Sequence, residues 1–140
     1  MKIGLLPVDS NYPNLALMKI SSYHKGIGNQ VEWYNPFDQY DCVYKSKIFS
    51  FTNDYEHSIE NTCQVFSGGT GYSLNSRLDK EVEYAIPDYS IYPSIDKRTA
   101  YGFITRGCPN KCKWCVVPKK EGTVHAYMDV DDIAINGGTG

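Results

Sequence analysis

Short apolar runs alternate with helical or polar stretches over roughly the first seventy residues. Lys2–Val8 is an apolar run of strand length, which predicts a buried strand. Apolar residues then recur at spacings of three and four over 16–27, which predicts one face of a helix. We expect Pro13 at the first helical position and Asn11 or Tyr12 at the cap. The chain therefore opens with a strand followed by a helix.

Three further segments of this half have the pattern of strands. They are Gln30–Tyr34, one or two strands within Asp41–Phe51, and Thr62–Ser67. The polar stretch Asn53–Glu60 between them is a candidate short helix. Strands that alternate with helical stretches favour an α/β fold with an open, mostly parallel sheet of the Rossmann-like or flavodoxin-like type.

The second half is less regular and divides the chain in two. Residues 72–97 have little periodicity, which predicts a linker with a short helix near Asp79–Tyr84. Thr99–Thr105 has the pattern of a strand and leads directly into a cysteine-rich loop. We therefore expect an α/β domain with its linker over 1–97 and a second domain, carrying the loop, over 98–140.

Composition excludes several classes of function. The chain has 140 residues and a formal charge of −2, which argues against bulk nucleic-acid binding. It has no run of about eighteen apolar residues, so we expect no membrane span. The start reads as a strand and not as a signal peptide. Five cysteines without a targeting sequence predict a reducing, cytoplasmic compartment.

The loop after Thr105 carries three cysteines at the spacing CxxxCxxC, namely Cys108, Cys112 and Cys115. Soft thiolates favour iron–sulfur clusters, zinc or Cu(I). Three ligands on a four-iron cluster leave one iron open for chemistry. A structural zinc site is the alternative, with His125 or a distant cysteine as fourth ligand. A disulfide within the motif would be strained by the close spacing.

With Trp114 just before the last cysteine, the motif resembles the cluster loop of the radical S-adenosylmethionine (radical SAM) enzymes. The resemblance implies that Cys108, Cys112 and Cys115 hold a 4Fe–4S cluster whose open iron is chelated by SAM. An electron from the cluster would then cleave SAM to a 5′-deoxyadenosyl radical. The resemblance also places Trp114 near the adenine of SAM, with core packing as the alternative role of this side chain. It identifies no catalytic residue.

The order of predicted elements around the motif also resembles that of radical SAM enzymes. Residues 1–97 are similar to the cobalamin-binding-like domain that precedes the barrel in many radical SAM enzymes, and Thr99–Thr105 is similar to the first barrel strand. The cobalamin signature Asp-x-His-x-x-Gly is absent, because His24 and Gly26 lack the preceding aspartate. We therefore expect no cobalamin, and we expect His24 to be a solvent-facing residue at a helix end.

The resemblance covers only the start of a radical SAM barrel, which has about six β/α units in the family. After the loop the chain holds only a candidate short helix over Asp131–Ile135. The remaining strands would come from a missing barrel portion or from another chain, so whether this chain acts as an enzyme is left open and its substrate is unknown. The alternative function is a non-catalytic α/β module with a three-cysteine metal-binding loop.

Three other features have simpler interpretations. Cys42 and Cys63 lie in strand-like runs and are predicted to be buried core residues, since a second cluster like that of the methylthiotransferases would need a third cysteine. Gly68–Gly71 lacks the spacing of a phosphate-binding loop and is predicted to be an open turn. A solvated basic face is predicted around the cysteines, with a role in balancing the cluster or meeting an anionic substrate as the alternative; its members are Arg106, Lys111, Lys113, Lys119 and Lys120.

Overall fold

The computed structural model describes residues 1–137, with side chains described as far as residue 133. The chain divides into two compact units, Met1–Tyr92 and a second that begins at Pro93. The sequence pattern placed this division a few residues later, after Lys97.

The first unit is built on a four-stranded sheet in which every pairing is parallel. The strands are β1 (Lys2–Pro7), β2 (Gln30–Trp33), β3 (Tyr40–Ser46) and β4 (Thr62–Gly68), in the order β2-β1-β3-β4. This order places the first strand inside the sheet, as in flavodoxin-like folds. The predicted open, parallel α/β sheet is confirmed.

Helix α1 (Leu15–Gly26) connects β1 to β2 and begins later than the sequence pattern predicted. Its cap is Asn14, whose Oδ1 accepts a hydrogen bond from the backbone N–H of Leu17 at 3.2 Å. The Asn14 side-chain amide also donates to Ser46 Oγ on β3 at 2.9 Å. The prediction of Pro13 at the first helical position, with its cap at Asn11 or Tyr12, is wrong. The helix begins after Asn14 because this side chain can bond both the first turn and Ser46 of β3.

One face of the sheet packs against α1 and forms the core. Its buried cluster combines residues of β1, α1 and β3: Ile3, Leu5, Leu17, Ile20 and Cys42. A short helix α2 (Lys80–Glu83) and a 3₁₀ helix (Tyr89–Ile91) add partly buried apolar side chains to the same cluster. The short helix predicted near Asp79–Tyr84 is confirmed. The one considered over Asn53–Glu60 is wrong, since residues 47–61 contain no helix.

The second unit contains a two-stranded antiparallel ribbon, β5 (Thr105–Arg106) with β6 (His125–Ala126). Helix α3 (Val117–Glu121) lies between these strands in sequence, and α4 (Val130–Gly137) follows them. The strand predicted over Thr99–Thr105 is wrong, because only its last residue joins a ladder. The segment before it contacts later parts of the same unit instead: a Cβ added at Gly102 would lie 2.8 Å from Ile133 of α4, and the carbonyl oxygen of Ile104 accepts from the backbone N–H of Tyr127 at 3.0 Å.

The two cysteines of the first unit have different environments. Cys42 is buried, as predicted, and its Sγ donates to Gln64 Oε1 at 3.7 Å. Cys63 is exposed, so the prediction of a buried residue is wrong. It lies on β4, which is one of the two edge strands of the sheet and is exposed along most of its length.

The glycine turn after β4 is packed, and the prediction of an open turn is wrong. Gly69 has a φ of +100°, and a Cβ built there would lie 2.3 Å from the carbonyl oxygen of Lys47. The backbone N–H of Gly71 donates to the same carbonyl at 2.9 Å. The turn therefore lies against the segment that follows β3.

His24, at the end of α1, is buried and not solvent-facing. Its Nδ1 lies 3.0 Å from the side-chain amide nitrogen of Asn29, and its Nε2 lies 3.0 Å from the hydroxyl of Tyr44. Because an amide N–H can only donate, Nδ1 is the acceptor and the proton of the neutral ring is on Nε2. Burial, and secondarily the N-terminal ammonium, lower the pKa of this imidazole.

Among the residues that the structure describes, no helix is long and apolar enough to cross a membrane.

Candidate metal-binding loop

The cysteine loop is closed at its base by the β5–β6 ribbon. Arg106 pairs with His125, so residues 107–124 form the excursion between the two strands. Gly107 opens it with a φ of +82°, and a Cβ at this position would lie 2.3 Å from the carbonyl oxygen of Thr123. Only glycine combines this backbone conformation with so close an approach of the returning chain.

A carboxylate connects the two ends of the loop. Glu121 Oε1 accepts from Arg106 Nη1 at 2.8 Å, and Glu121 Oε2 accepts from the backbone N–H of Gly107 at 3.2 Å. The backbone N–H of Cys108 donates to the carbonyl oxygen of Gly122 at 3.3 Å. We call these three contacts the neck of the loop.

The charges of the neck are partly shielded from water. Desolvation alone would raise the pKa of Glu121, but the hydrogen bond from Gly107 and the charge of Arg106 outweigh it and lower that pKa. The guanidinium carbon of Arg106 lies 4.2 Å from the ring centre of Phe103 and 4.8 Å from that of Tyr127. The guanidinium is thus held by two aromatic rings as well as by the carboxylate.

The three cysteines form no disulfide and lie at different depths. Cys108 and Cys115 are partly buried, and Cys112 is exposed. The backbone N–H of Cys115 donates to the carbonyl oxygen of Cys112 at 3.1 Å, which makes the CxxC segment a tight turn. Helix α3 begins two residues after Cys115 and ends at Glu121, so it runs from the last cysteine to the neck.

The three thiols are chemically suited to a thiophilic metal or cluster, but their sulfur atoms do not lie close enough together to coordinate one. Three free thiols within eight residues, none of them fully buried, are soft ligands open to a metal. Over the described part of the chain, however, no three His, Cys, Asp or Glu side chains are grouped closely enough to hold an ion. Binding by these cysteines therefore requires the apex of the loop to fold around the metal.

Trp114 stands 87% exposed beside the last cysteine. The alternative that it packs in a core is therefore wrong for the described residues. Its indole is open for a stacking partner, and the placement near an adenine stays a prediction.

His125 has the hydrogen bonding of a metal-binding histidine. Its Nδ1 lies 2.9 Å from the carbonyl oxygen of Thr123, and since a carbonyl can only accept, Nδ1 is the donor. The lone pair of the neutral ring is then on Nε2, and the side chain is exposed. The ribbon pairs His125 with Arg106, two residues before Cys108.

The basic residues around the loop do not all have the same role. Lys111, Lys113 and Lys119 are exposed, as expected for a solvated face. Arg106 is instead partly buried in the neck with Glu121, which sequence reasoning missed. The available signal was that Glu121 is the one acidic residue among the five basic residues of 106–121.

The chain matches no known protein family, no curated protein and no solved structure. The resemblance to radical SAM enzymes therefore depends on the motif and the layout of the chain itself.

Proposed function

We propose that this chain is an iron–sulfur protein of the radical SAM type. Cys108, Cys112 and Cys115 would supply the protein ligands of a 4Fe–4S cluster, and SAM would occupy the iron that they leave open. The single observation that carries the proposal is the CxxxCxxC spacing with Trp114 before the last cysteine. It is supported by three thiols that form no disulfide and are not fully buried, in a loop whose two ends are joined by hydrogen bonds.

Each part of the loop then has a role of its own. When bound, the cluster supplies a one-electron reductant for SAM. The three thiolates hold it, and the exposed indole of Trp114 offers a face to the adenine. Lys111, Lys113 and Lys119 offset part of the negative charge that thiolates and cluster bring to one place. Backbone N–H groups of the loop can donate to cluster sulfurs and so raise the reduction potential of the cluster.

The wider assignment follows from the same proposal. The segment 98–140 would be the beginning of a radical SAM domain, completed by barrel strands from elsewhere, and the protein would work in the reducing cytoplasm on a substrate not yet identified. The β5–β6 ribbon is antiparallel, unlike neighbouring strands of a β/α barrel. The loop, and not a barrel strand, is therefore what supports the function.

Anaerobic reconstitution with iron and sulfide tests the assignment directly. We expect a brown protein with broad visible absorption and about four irons per chain. Cys112→Ala should lose most of that iron, because it removes one of three protein ligands. Cys63→Ala is the matched control, since Cys63 is exposed but lies outside the loop. Full iron content in Cys112→Ala would contradict the proposal.

The geometry of His125 favours one other candidate, a non-catalytic module with a Cys₃His zinc site. In that case the protein is colourless and holds about one zinc per chain, and His125→Ala weakens zinc binding. In the iron–sulfur protein His125→Ala leaves the iron content unchanged. Zinc and iron content of the wild type and of this variant therefore separate the two functions.

A further inference from the structure

The contacts of the neck are formed, although the three cysteine side chains are not grouped closely enough to hold a metal. Glu121 contacts both Arg106 and the Gly107 backbone, at 2.8 and 3.2 Å, and Cys108 is hydrogen-bonded to Gly122. Both charged side chains of this contact are only 23% exposed, so water competes weakly for it. The two ends of the cysteine-bearing segment are thus held together by the protein itself.

The neck constrains the outer cysteines and leaves the middle one free. Cys108 lies two residues after Arg106, and Cys115 is joined to Glu121 through α3. Both outer cysteines are partly buried, whereas Cys112 at the apex is exposed. When a metal binds this loop, Cys108 and Cys115 are therefore already restrained, and only the apex around Cys112 has to become ordered.

We propose that Glu121 and Arg106 are positioning residues for metal binding: their ion pair closes the neck so that Cys108 and Cys115 are pre-arranged before the metal arrives. This inference rests on the proposed function only in that the three cysteines bind a metal. The physical basis is the entropy lost when the two ends of the loop are brought together. Here that entropy is lost on folding, so it does not weaken the binding of the metal. A ligand set held by such a support binds more tightly than one on an open chain.

Replacement of Glu121 by glutamine removes this closure with little change of shape. Both carboxylate oxygens accept from donors, Arg106 Nη1 and Gly107 N–H. A glutamine offers one oxygen and one NH₂ group, so one of these donors then faces another donor. Glu60→Gln is the matched control, because Glu60 is exposed and lies in the first unit.

Co²⁺ is the probe for the first measurement, because cobalt–thiolate absorption reports ligation by cysteine without iron or SAM. The full chain, kept reduced, is titrated with Co²⁺ alone. We expect Glu121→Gln to bind about tenfold more weakly than the wild type, and Glu60→Gln to bind equally well. Arg106→Lys keeps a cation for Glu121 and should lose less affinity than Arg106→Gln.

The second measurement follows the alkylation of each cysteine by iodoacetamide in the metal-free protein. We expect Glu121→Gln to alkylate faster at Cys108, because the neck no longer shields it. Cys112 and Cys63 are already exposed and should react at the wild-type rate. A general loss of stability would instead raise the rate at buried Cys42.

The outcomes separate this inference from the proposed function. Weaker cobalt binding together with faster alkylation of Cys108 supports the positioning role. Thiolate-bound cobalt that is held equally tightly by the wild type and Glu121→Gln overturns the positioning role and leaves the metal loop intact. Absence of cobalt–thiolate absorption in the wild type overturns both.

Discussion

At the scale of single residues, backbone conformation and buried hydrogen bonds determine which substitutions the protein tolerates. Gly107 combines a positive φ with the close approach of Thr123, and His24 combines burial with a fixed tautomer. Neither property can be read from a residue's type, since nothing lies within 4 Å of a Cβ at Gly26 or Gly122, and His57 and His125 are exposed. Each leads to a prediction.

Gly107→Ala should open the base of the cysteine loop. The new Cβ meets the carbonyl oxygen of Thr123 at 2.3 Å in a backbone region that L-residues avoid, which costs roughly 1–3 kcal/mol. We expect hydrogen exchange at the Cys108 amide to become roughly tenfold faster or more. Gly26→Ala is the control, because nothing lies within 4 Å of a Cβ there. Unchanged protection of Cys108 in Gly107→Ala would contradict this account of the loop.

His24 should make stability depend on pH. Its pKa in the folded protein lies below the ordinary 6.5, first because of burial and second because of the N-terminal ammonium. Between these two pKa values the unfolded chain binds a proton that the folded chain does not. The contribution of His24 to the free energy of unfolding is therefore fully present above about pH 6.5. It is lost as the pH falls from there through the pKa of His24 in the folded protein.

Thermal unfolding between about pH 7.5 and 5.5 measures this effect. We expect the unfolding temperature of the wild type to fall over that range and that of His24→Gln to fall less. His57→Gln is the histidine control, since His57 is exposed. An equal slope for the wild type and His24→Gln would show that His24 does not titrate on unfolding.

At the scale of elements, helix and strand limits follow from partners elsewhere in the chain. Helix α1 begins where Asn14 can bond both its own first turn and β3, although Pro13 is a good first helical residue by itself. Strand β5 is short because only Thr105 and Arg106 pair with β6 in a ladder. In both cases the local pattern was compatible with several limits, and a contact more than fifteen residues away in sequence selected one.

Asn14→Ala should therefore destabilise the first unit, and Asn11→Ala should not. The first substitution removes a helix cap together with a buried hydrogen bond to Ser46, at a cost of about 1–2 kcal/mol. Asn11 is exposed and lies outside the helix, so its loss is expected to cost less than about 0.5 kcal/mol. Urea unfolding of the two variants measures the difference. A larger effect at Asn11 would support the earlier helix start.

At the scale of the whole molecule, the chain consists of a packed α/β unit and a smaller unit that contains the three-cysteine motif. The core cluster belongs entirely to the first unit, while the cysteines, Trp114 and the neck belong to the second. We therefore expect the first unit to fold without metal. The second unit offers one loop and a two-residue ribbon around the proposed site.

The isolated chain should be a poor catalyst even when a cluster is bound. An exposed Trp114 and an exposed Cys112 leave the site open to water, whereas radical chemistry requires exclusion of solvent and close positioning. Incubation of the reconstituted protein with SAM and dithionite should give less than one 5′-deoxyadenosine per chain. Multiple turnovers would contradict this and point to a site completed by a second chain.

The sequence by itself determined the parallel α/β class, four of the strands and the cysteine motif, because periodicity and ligand spacing are local properties. The antiparallel partner of β5, the exposed edge position of Cys63, the burial of His24 and the neck formed by Glu121 were decided only in the tertiary structure. Each of these depends on which distant segment lies alongside, and a local pattern does not contain that information. Glu121 illustrates the difference: along the chain it is one acid after a basic run, and in the fold it joins the two ends of the loop because Arg106 and Gly107 lie beside it.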